Sequence, residues 1–236
     1  MKHRVLLLLA GLLCILLAAC APAVPAAQET ISPIVPQMPA ETTGLQPEGQ
    51  ATDAIPEDSV FVAVTDYIPD ISVDLKYATE DNFTGQTVYE FSTVYLRYGT
   101  VVKLAAVQED LRQLDLGLKI WDGFRPVSAQ FRLWEICPNP RYVADPHNGF
   151  SSHSRGNTVD VTLVDSAGND LVMPTGFDDF SALADRDYAD CSEEAANNAE
   201  ILEILMEKHG FAGYKREWWH YTDTTEYPVE EIFLSE

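Results

Sequence analysis

Basic residues are scarce in this chain. Only 15 of its 236 residues are Lys or Arg against 37 Asp or Glu, a formal net charge of −22 at pH 7, and none of the 15 falls between Val5 and Leu75. So acidic a chain repels phosphate backbones and anionic surfaces, which excludes nucleic acid as a partner and leaves a membrane contact only through an anchor. Aromatic residues are missing from Ala21 to about Asp58, whereas seven of the 14 prolines fall between Pro22 and Pro56. That stretch cannot bury enough apolar surface to offset the entropy of ordering it, so it reads as a flexible tether. Cysteine is rare too, four residues in all.

The first residues are organised for export. Lys2 and Arg4 precede the apolar run Val5 to Leu17, which is too short to span a bilayer and closes on Leu17-Ala18-Ala19-Cys20. The ending resembles the lipobox of bacterial lipoproteins, which implies a signal over residues 1–19 and lipidation of Cys20; an ordinary secretory signal cut near Ala19 is the alternative. Both place the protein outside the cytoplasm. Residues 20–58 are then the tether, and 59–236 have the length of one domain. Loss of Lys2 and Arg4 leaves 13 basic residues against 37 acidic ones, a net charge of −24. Cys14 leaves with the signal, so Cys137 and Cys191 remain; outside the cell they can pair, and the sequence leaves a disulfide and two free thiols equally open.

Within the domain, Ser59 to Val64 is an apolar run suited to a strand, and Ile71 to Leu75 alternates with period two. Leu104, Val107, Leu111 and Leu114 recur at helical spacing, with Thr100 as a cap and Gly117 past the end. Leu118 to Trp121 reads as a short strand running into Asp122-Gly123-Phe124-Arg125-Pro126, and Pro126 suits the first turn of a helix carrying Phe131 and Trp134. Ser192 can cap a last helix whose stripe is Ala195, Ala199, Leu202 and Met206, closed by His209 and Gly210. No βαβ rhythm is present. The expected class is α+β: one domain with a mostly antiparallel central sheet flanked by helices.

The segment Ser151-Ser152-His153-Ser154-Arg155-Gly156-Asn157-Thr158-Val159-Asp160 carries the chemistry. An extended run from Thr158 to Leu163 puts Val159, Val161 and Leu163 on one side and Asp160 on the other. Gly156 permits a sharp turn that folds His153 back toward Asp160, giving two ligands for a divalent metal. A third must come from elsewhere. His209 suits the helix end and His147 a loop, whereas His220 lies in Glu217-Trp218-Trp219-His220-Tyr221. Three protein ligands leave Zn2+ an open position, and a glutamate three residues before a histidine sets a base beside it. A lone histidine or aspartate is more often structural; their joint occurrence points to a site.

These residues resemble the D-alanyl-D-alanine dipeptidases of the VanX type, within a wider group of zinc D,D-peptidases. The likeness runs through Lys76-Tyr77-Ala78-Thr79, Asp81-Asn82-Phe83-Thr84-Gly85, Trp121 to Pro126, Ser151 to Gly156 and Glu217 to Tyr221. It implies one Zn2+ held by His153, Asp160 and His220 in a cleft on the sheet, Glu217 as catalytic base, and Arg125 at the tetrahedral intermediate. It further implies that Asp178, helped by Tyr77, receives the substrate ammonium and that Ser151 lies near its carboxylate. Asn157-Thr158 departs from the small pair usual before the metal-binding aspartate. The implied activity is hydrolysis of D-Ala-D-Ala and related D,D-dipeptides, serving wall turnover or salvage because an exported enzyme cannot reach a cytoplasmic pool. A zinc D,D-carboxypeptidase acting on wall peptides, or a non-catalytic wall-peptide-binding lipoprotein, are the alternatives.

Overall fold

The computed structural model describes residues 55–230. The export signal, Cys20 and most of the tether lie outside the described residues. Chain order runs β1 (Phe61–Ala63), α1 (Val64–Tyr67), β2 (Ser72–Val73), β3 (Tyr95–Arg97), α2 (Tyr98–Arg112), β4 (Leu116–Asp122), α3 (Val127–Ile136), β5 (Thr158–Asp165), α4 (Glu193–Lys208), β6 (Phe211–Tyr214) and β7 (Glu217–Asp223), with 3-10 turns at Lys76–Ala78, Ser152–Arg155 and Ala182–Ala184.

The main sheet has the order β2-β4-β5-β7-β6. Only β2 and β4 pair in parallel; β4-β5, β5-β7 and β6-β7 are antiparallel, and β1 with β3 forms a separate antiparallel ribbon. The expected α+β class with a mostly antiparallel sheet therefore stands. β5 occupies the centre. Its Val159, Val161 and Leu163 are fully buried on one face and Thr158, Asp160 and Thr162 are buried on the other, so both faces are covered.

Sequence periodicity located α2 and α4 but misplaced both ends of α2. On α2, Leu104, Val107 and Leu111 are wholly buried, each contributing about 1.5–3 kcal/mol of burial. Thr100 is not its cap. Arg97 holds that position, and Thr100 sits inside the first turn donating its hydroxyl to Asp223 at 2.9 Å. The helix ends at Arg112, which leaves Leu114 exposed, and the chain reverses at Asp115 with φ +57°, ahead of Gly117. The helix α4 follows expectation: the Ser192 hydroxyl accepts the Ala195 amide at 3.1 Å, Ala195, Ala199, Leu202 and Met206 are buried, and Gly210 adopts φ +86° past the end. No described helix is long and apolar enough to cross a membrane.

Cys137 and Cys191 are both free thiols. Cys137 follows the end of α3, and the Cys191 thiol donates to its own loop at the Tyr188 carbonyl, 3.3 Å away. Sequence shows that two cysteines are left over but carries no measure of their separation.

Candidate active site

Strand register builds the centre of the site. Asp160 on β5 stands directly opposite His220 on β7, and such cross-strand partners project to the same face. On its other edge Asp160 is matched to Asp122 of β4, just past an irregularity in that pairing. His153 reaches the same spot from the Ser152–Arg155 turn. Ser151 caps that turn through the His153 amide, and Gly156 ends it at φ +75°. A Cβ on Gly156 would lie 2.2 Å from Phe61 Cε1, so this backbone needs glycine both for its conformation and for space.

One ligand-capable atom from each of His153, Asp160 and His220 lies within 4.8 Å of the others. The far nitrogens are already committed. His153 Nδ1 is 2.8 Å from the Gly123 carbonyl, which fixes it as the donor and turns the Nε2 lone pair toward Asp160, 3.3 Å away. His220 Nε2 is 3.3 Å from the Ser152 hydroxyl, leaving Nδ1 to face Asp160. Asp160 Oδ1 is buried without a hydrogen bond, although His220 Nδ1 stands only 2.9 Å from it. A buried carboxylate set between two imidazole nitrogens, with one of its oxygens lacking a hydrogen bond, is unfavourable alone and fits a cation. Burial pushes the Asp160 carboxyl up, but the adjacent His153 and His220 outweigh it and hold the group well below the usual carboxylate range.

Glu217 needs a distortion to join this face. Residues three apart on a regular strand point to opposite sides. Here Tyr214 pairs with Glu217 while Gly213 pairs with Tyr221, so Trp218 to His220 bulge from the β6 edge. The bulge brings Glu217 Oε2 to 3.6 Å from His220 Nδ1 and lets Trp218 and Trp219 both be fully buried. Burial raises the Glu217 carboxyl above its ordinary value.

Carbonyls released by that bulge are collected by one residue the sequence did not single out. Arg186 donates from Nη2 to the carbonyls of Glu217, Trp218 and His220 at 3.3, 3.0 and 3.0 Å, and from Nε to that of Tyr214 at 3.0 Å. Its guanidinium stacks 4.3 Å over the Tyr221 ring and pairs with Glu203 at 3.3 Å. In sequence, Asp185-Arg186-Asp187 reads as a solvated charge cluster; nothing local marks it as the brace of a distant strand.

Around this centre stand the remaining expected residues. The Arg125 guanidinium is held by Asp122 at 2.6 Å, the Tyr89 hydroxyl at 3.2 Å and Gln130 at 3.0 Å, and lies 5.0 Å from the Tyr77 ring centre. Asp122 thus orients Arg125, and its other oxygen accepts the Tyr89 hydroxyl and the Gly123 amide. Tyr89 and Gln130 are further positioning residues missed in the sequence. Tyr77 donates to Asp178 at 2.7 Å, and burial pushes the Asp178 carboxyl up to about 7. Asp178, not its neighbour Asp179, faces the site, and it does so at φ +53°, a left-handed conformation that aspartate tolerates better than most residues. A cavity of about 320 Å3 is lined by Tyr77, Arg125, Ser151, His153, Asp160, Asp178, Glu217 and His220 together. His209 and His147 stay out of it: His209 contacts Asp110 at 2.6 Å and His147 contacts Asp145 at 2.9 Å. Asn157 and Thr158 are absorbed by hydrogen bonds to Asp223, Thr225 and Thr222.

A family model described as D-ala-D-ala dipeptidase matches residues 57–235. The chain belongs to that family. It is 38% identical to a D-alanyl-D-alanine dipeptidase of Escherichia coli over 65% of this chain and 79% of the relative. It is also 34% identical to one from Streptomyces coelicolor, over 69% and 90%. A bifunctional D-Ala-D-Ala dipeptidase and D-Ala-D-Ala carboxypeptidase of Enterococcus gallinarum is 28% identical over 59% of this chain and 69% of that protein. This dipeptidase-family chain is a zinc metallopeptidase, and His153, Asp160 and His220 form a group able to hold the ion.

Proposed function

We propose that the chain hydrolyses D-Ala-D-Ala and related D-amino-acid dipeptides outside the cytoplasm, at a zinc site made by His153, Asp160 and His220. The observation that carries this is the buried Asp160 carboxylate, whose Oδ2 faces His153 and whose Oδ1, without a hydrogen bond, faces His220 Nδ1, with Glu217 3.6 Å from the same nitrogen. When bound there, Zn2+ supplies Lewis-acid polarisation and a lowered pKa for water. Glu217 takes the proton of the attacking water and returns it to the leaving amine, a role helped by a carboxyl whose affinity for protons burial has raised. Arg125 spends three of its N–H donors on Asp122, Tyr89 and Gln130 and offers the rest to the oxyanion as it forms. Because those contacts hold the guanidinium in place beforehand, little reorganisation is required at the moment of reaction.

Asp178 with Tyr77 receives the substrate ammonium, and Ser151 lies near the opposite carboxylate. Fixing both ends of a dipeptide aligns its one peptide bond over the ion. The Leu17-Ala18-Ala19-Cys20 ending supports lipid anchoring at Cys20 and hence a role in wall-dipeptide turnover or salvage. Carboxypeptidase action on wall peptides is a second reading, favoured by the likeness to the bifunctional Enterococcus gallinarum protein. Assaying release of D-alanine from D-Ala-D-Ala and from a pentapeptide ending in D-Ala-D-Ala separates the two. Preference for the dipeptide is expected; efficient cleavage of the longer substrate alone overturns the dipeptidase reading.

A further inference from the structure

The active-site cavity does not end at Glu217. A second hollow of about 420 Å3 adjoins it, shares Arg141, Phe180, Tyr214 and Glu217 with it, and continues to Asp185 and Arg216. Phe180 and Tyr214 thus line both hollows. The two arginines that line this second hollow are unusual in this protein. The side chains of Arg97, Arg112, Arg125, Arg132, Arg155 and Arg186 all donate to carboxylates, carbonyls or both. Among the described residues, the guanidinium groups of Arg141 and Arg216 make no hydrogen bond or ion pair; Arg141 does no more than lie 5.8 Å from the ring centre of its neighbour Tyr142.

A chain with 37 acidic residues and 15 basic ones has carboxylates to spare for every cation. Two arginines left unmatched in one hollow beside the reacting centre are therefore available to an anion that arrives with the substrate. Two carboxylates share the hollow. Asp185 is turned onto its own loop, accepting the Asp187 amide at 3.1 Å, and Glu217 leans toward His220.

We propose that this hollow is a subsite for a carboxylate borne by the substrate beyond its reacting peptide bond, an acidic side chain on a D,D-dipeptide, received by Arg141 and Arg216. The inference rests on the dipeptidase reading and narrows it to a substrate class. D-Ala-D-Ala carries no side-chain carboxylate for the two arginines to receive.

The test uses the zinc-loaded full chain with five dipeptides: D-Ala-D-Ala, D-Ala-D-Glu, D-Glu-D-Ala, and the two amides in which D-Gln replaces D-Glu. At low salt, at least one acid is expected to exceed its amide in kcat/KM by about five- to tenfold, the scale of two partly exposed ion pairs. In the double variant Arg141→Gln, Arg216→Gln that ratio falls to about one, through a loss of kcat/KM on the acid larger than on its amide. Equal cleavage of acids and amides by the native chain, or an acid preference that survives both substitutions, overturns the subsite while the dipeptidase reading stands. Failure to cut any of the five overturns both.

Discussion

Two buried carboxylates, Asp122 and Asp160, sit side by side in register across β4 and β5, and their surroundings could hardly differ more. Asp122 lies in a closed network: one oxygen accepts the Tyr89 hydroxyl and the Gly123 amide, and the other pairs with Arg125. Asp160 lies in an open one, with His153 and His220 beside it and an oxygen that accepts no hydrogen bond. The closed network carries its own counter-charge and holds a rigid guanidinium at the wall of the cavity. The open network is complete only with a cation. Neighbouring positions on one sheet thus divide the work: β4 fixes the electrostatics of the site, and β5, β7 and the turn before β5 bring together the proposed ligands.

The largest effect should come from the open side. Replacing Glu217 by Gln keeps shape and ligands but removes the base, so kcat on D-Ala-D-Ala should fall by about 10²–10⁴-fold with zinc content intact. Unchanged turnover would remove Glu217 from the chemistry. The contrast itself is broken by paired substitutions. Asp122→Asn strands the buried Arg125 charge and should cost about 3–5 kcal/mol in denaturant unfolding, with or without zinc. Asp160→Asn should instead abolish the extra stability that zinc confers on the native chain. Similar behaviour of both variants would show that the two carboxylates are not differently employed.

Asp178 sharpens the comparison through pH. Its carboxyl, raised to about 7 by burial with help from the negative charges of Asp160 and Glu217, keeps its proton in the folded state above the unfolded value of about 3.9. Stability from this group is therefore full below about pH 4 and lost as pH rises to about 7, up to about 4 kcal/mol in total. Urea unfolding of zinc-free protein at the two ends of that window should show the loss, and Asp178→Asn should flatten it. In turnover the proposed role of Asp178 reverses the sign, because an ammonium received there needs the carboxylate: KM should rise as pH falls below about 7. The smallest effect belongs to the brace. Arg186→Lys retains charge but cannot span four carbonyls, so zinc affinity or kcat should drop roughly 10- to 100-fold while the circular dichroism of the fold persists. A loss confined to stability, with zinc binding and turnover per folded molecule unaltered, would make Arg186 purely structural.

What could be read from the sequence follows from where each side chain gets its position. Asp160, His220 and His153 are set by local backbone, a strand alternation and a glycine turn, and both patterns are written in adjacent residues. The helix α4 was equally readable, because cap, stripe and closing glycine all lie within its own stretch. Features that depend on distant partners were not readable. The β7 bulge shows only as two tryptophans buried in succession, Arg186 reads as a surface charge, and Tyr89 and Gln130 carry no mark of their hold on Arg125. Thr100 looked like a cap because its partner, Asp223, is remote in sequence. Asp178 could be separated from Asp179 only by its backbone, which turns one carboxylate toward Tyr77.

The most direct test is the number of zinc ions retained per chain by purified native protein and by its Asp160→Ala variant, each confirmed as folded. One ion per native chain and none in the variant is the expected result. A native chain that holds no zinc, or a variant that holds one as tightly as before, would contradict the site described above.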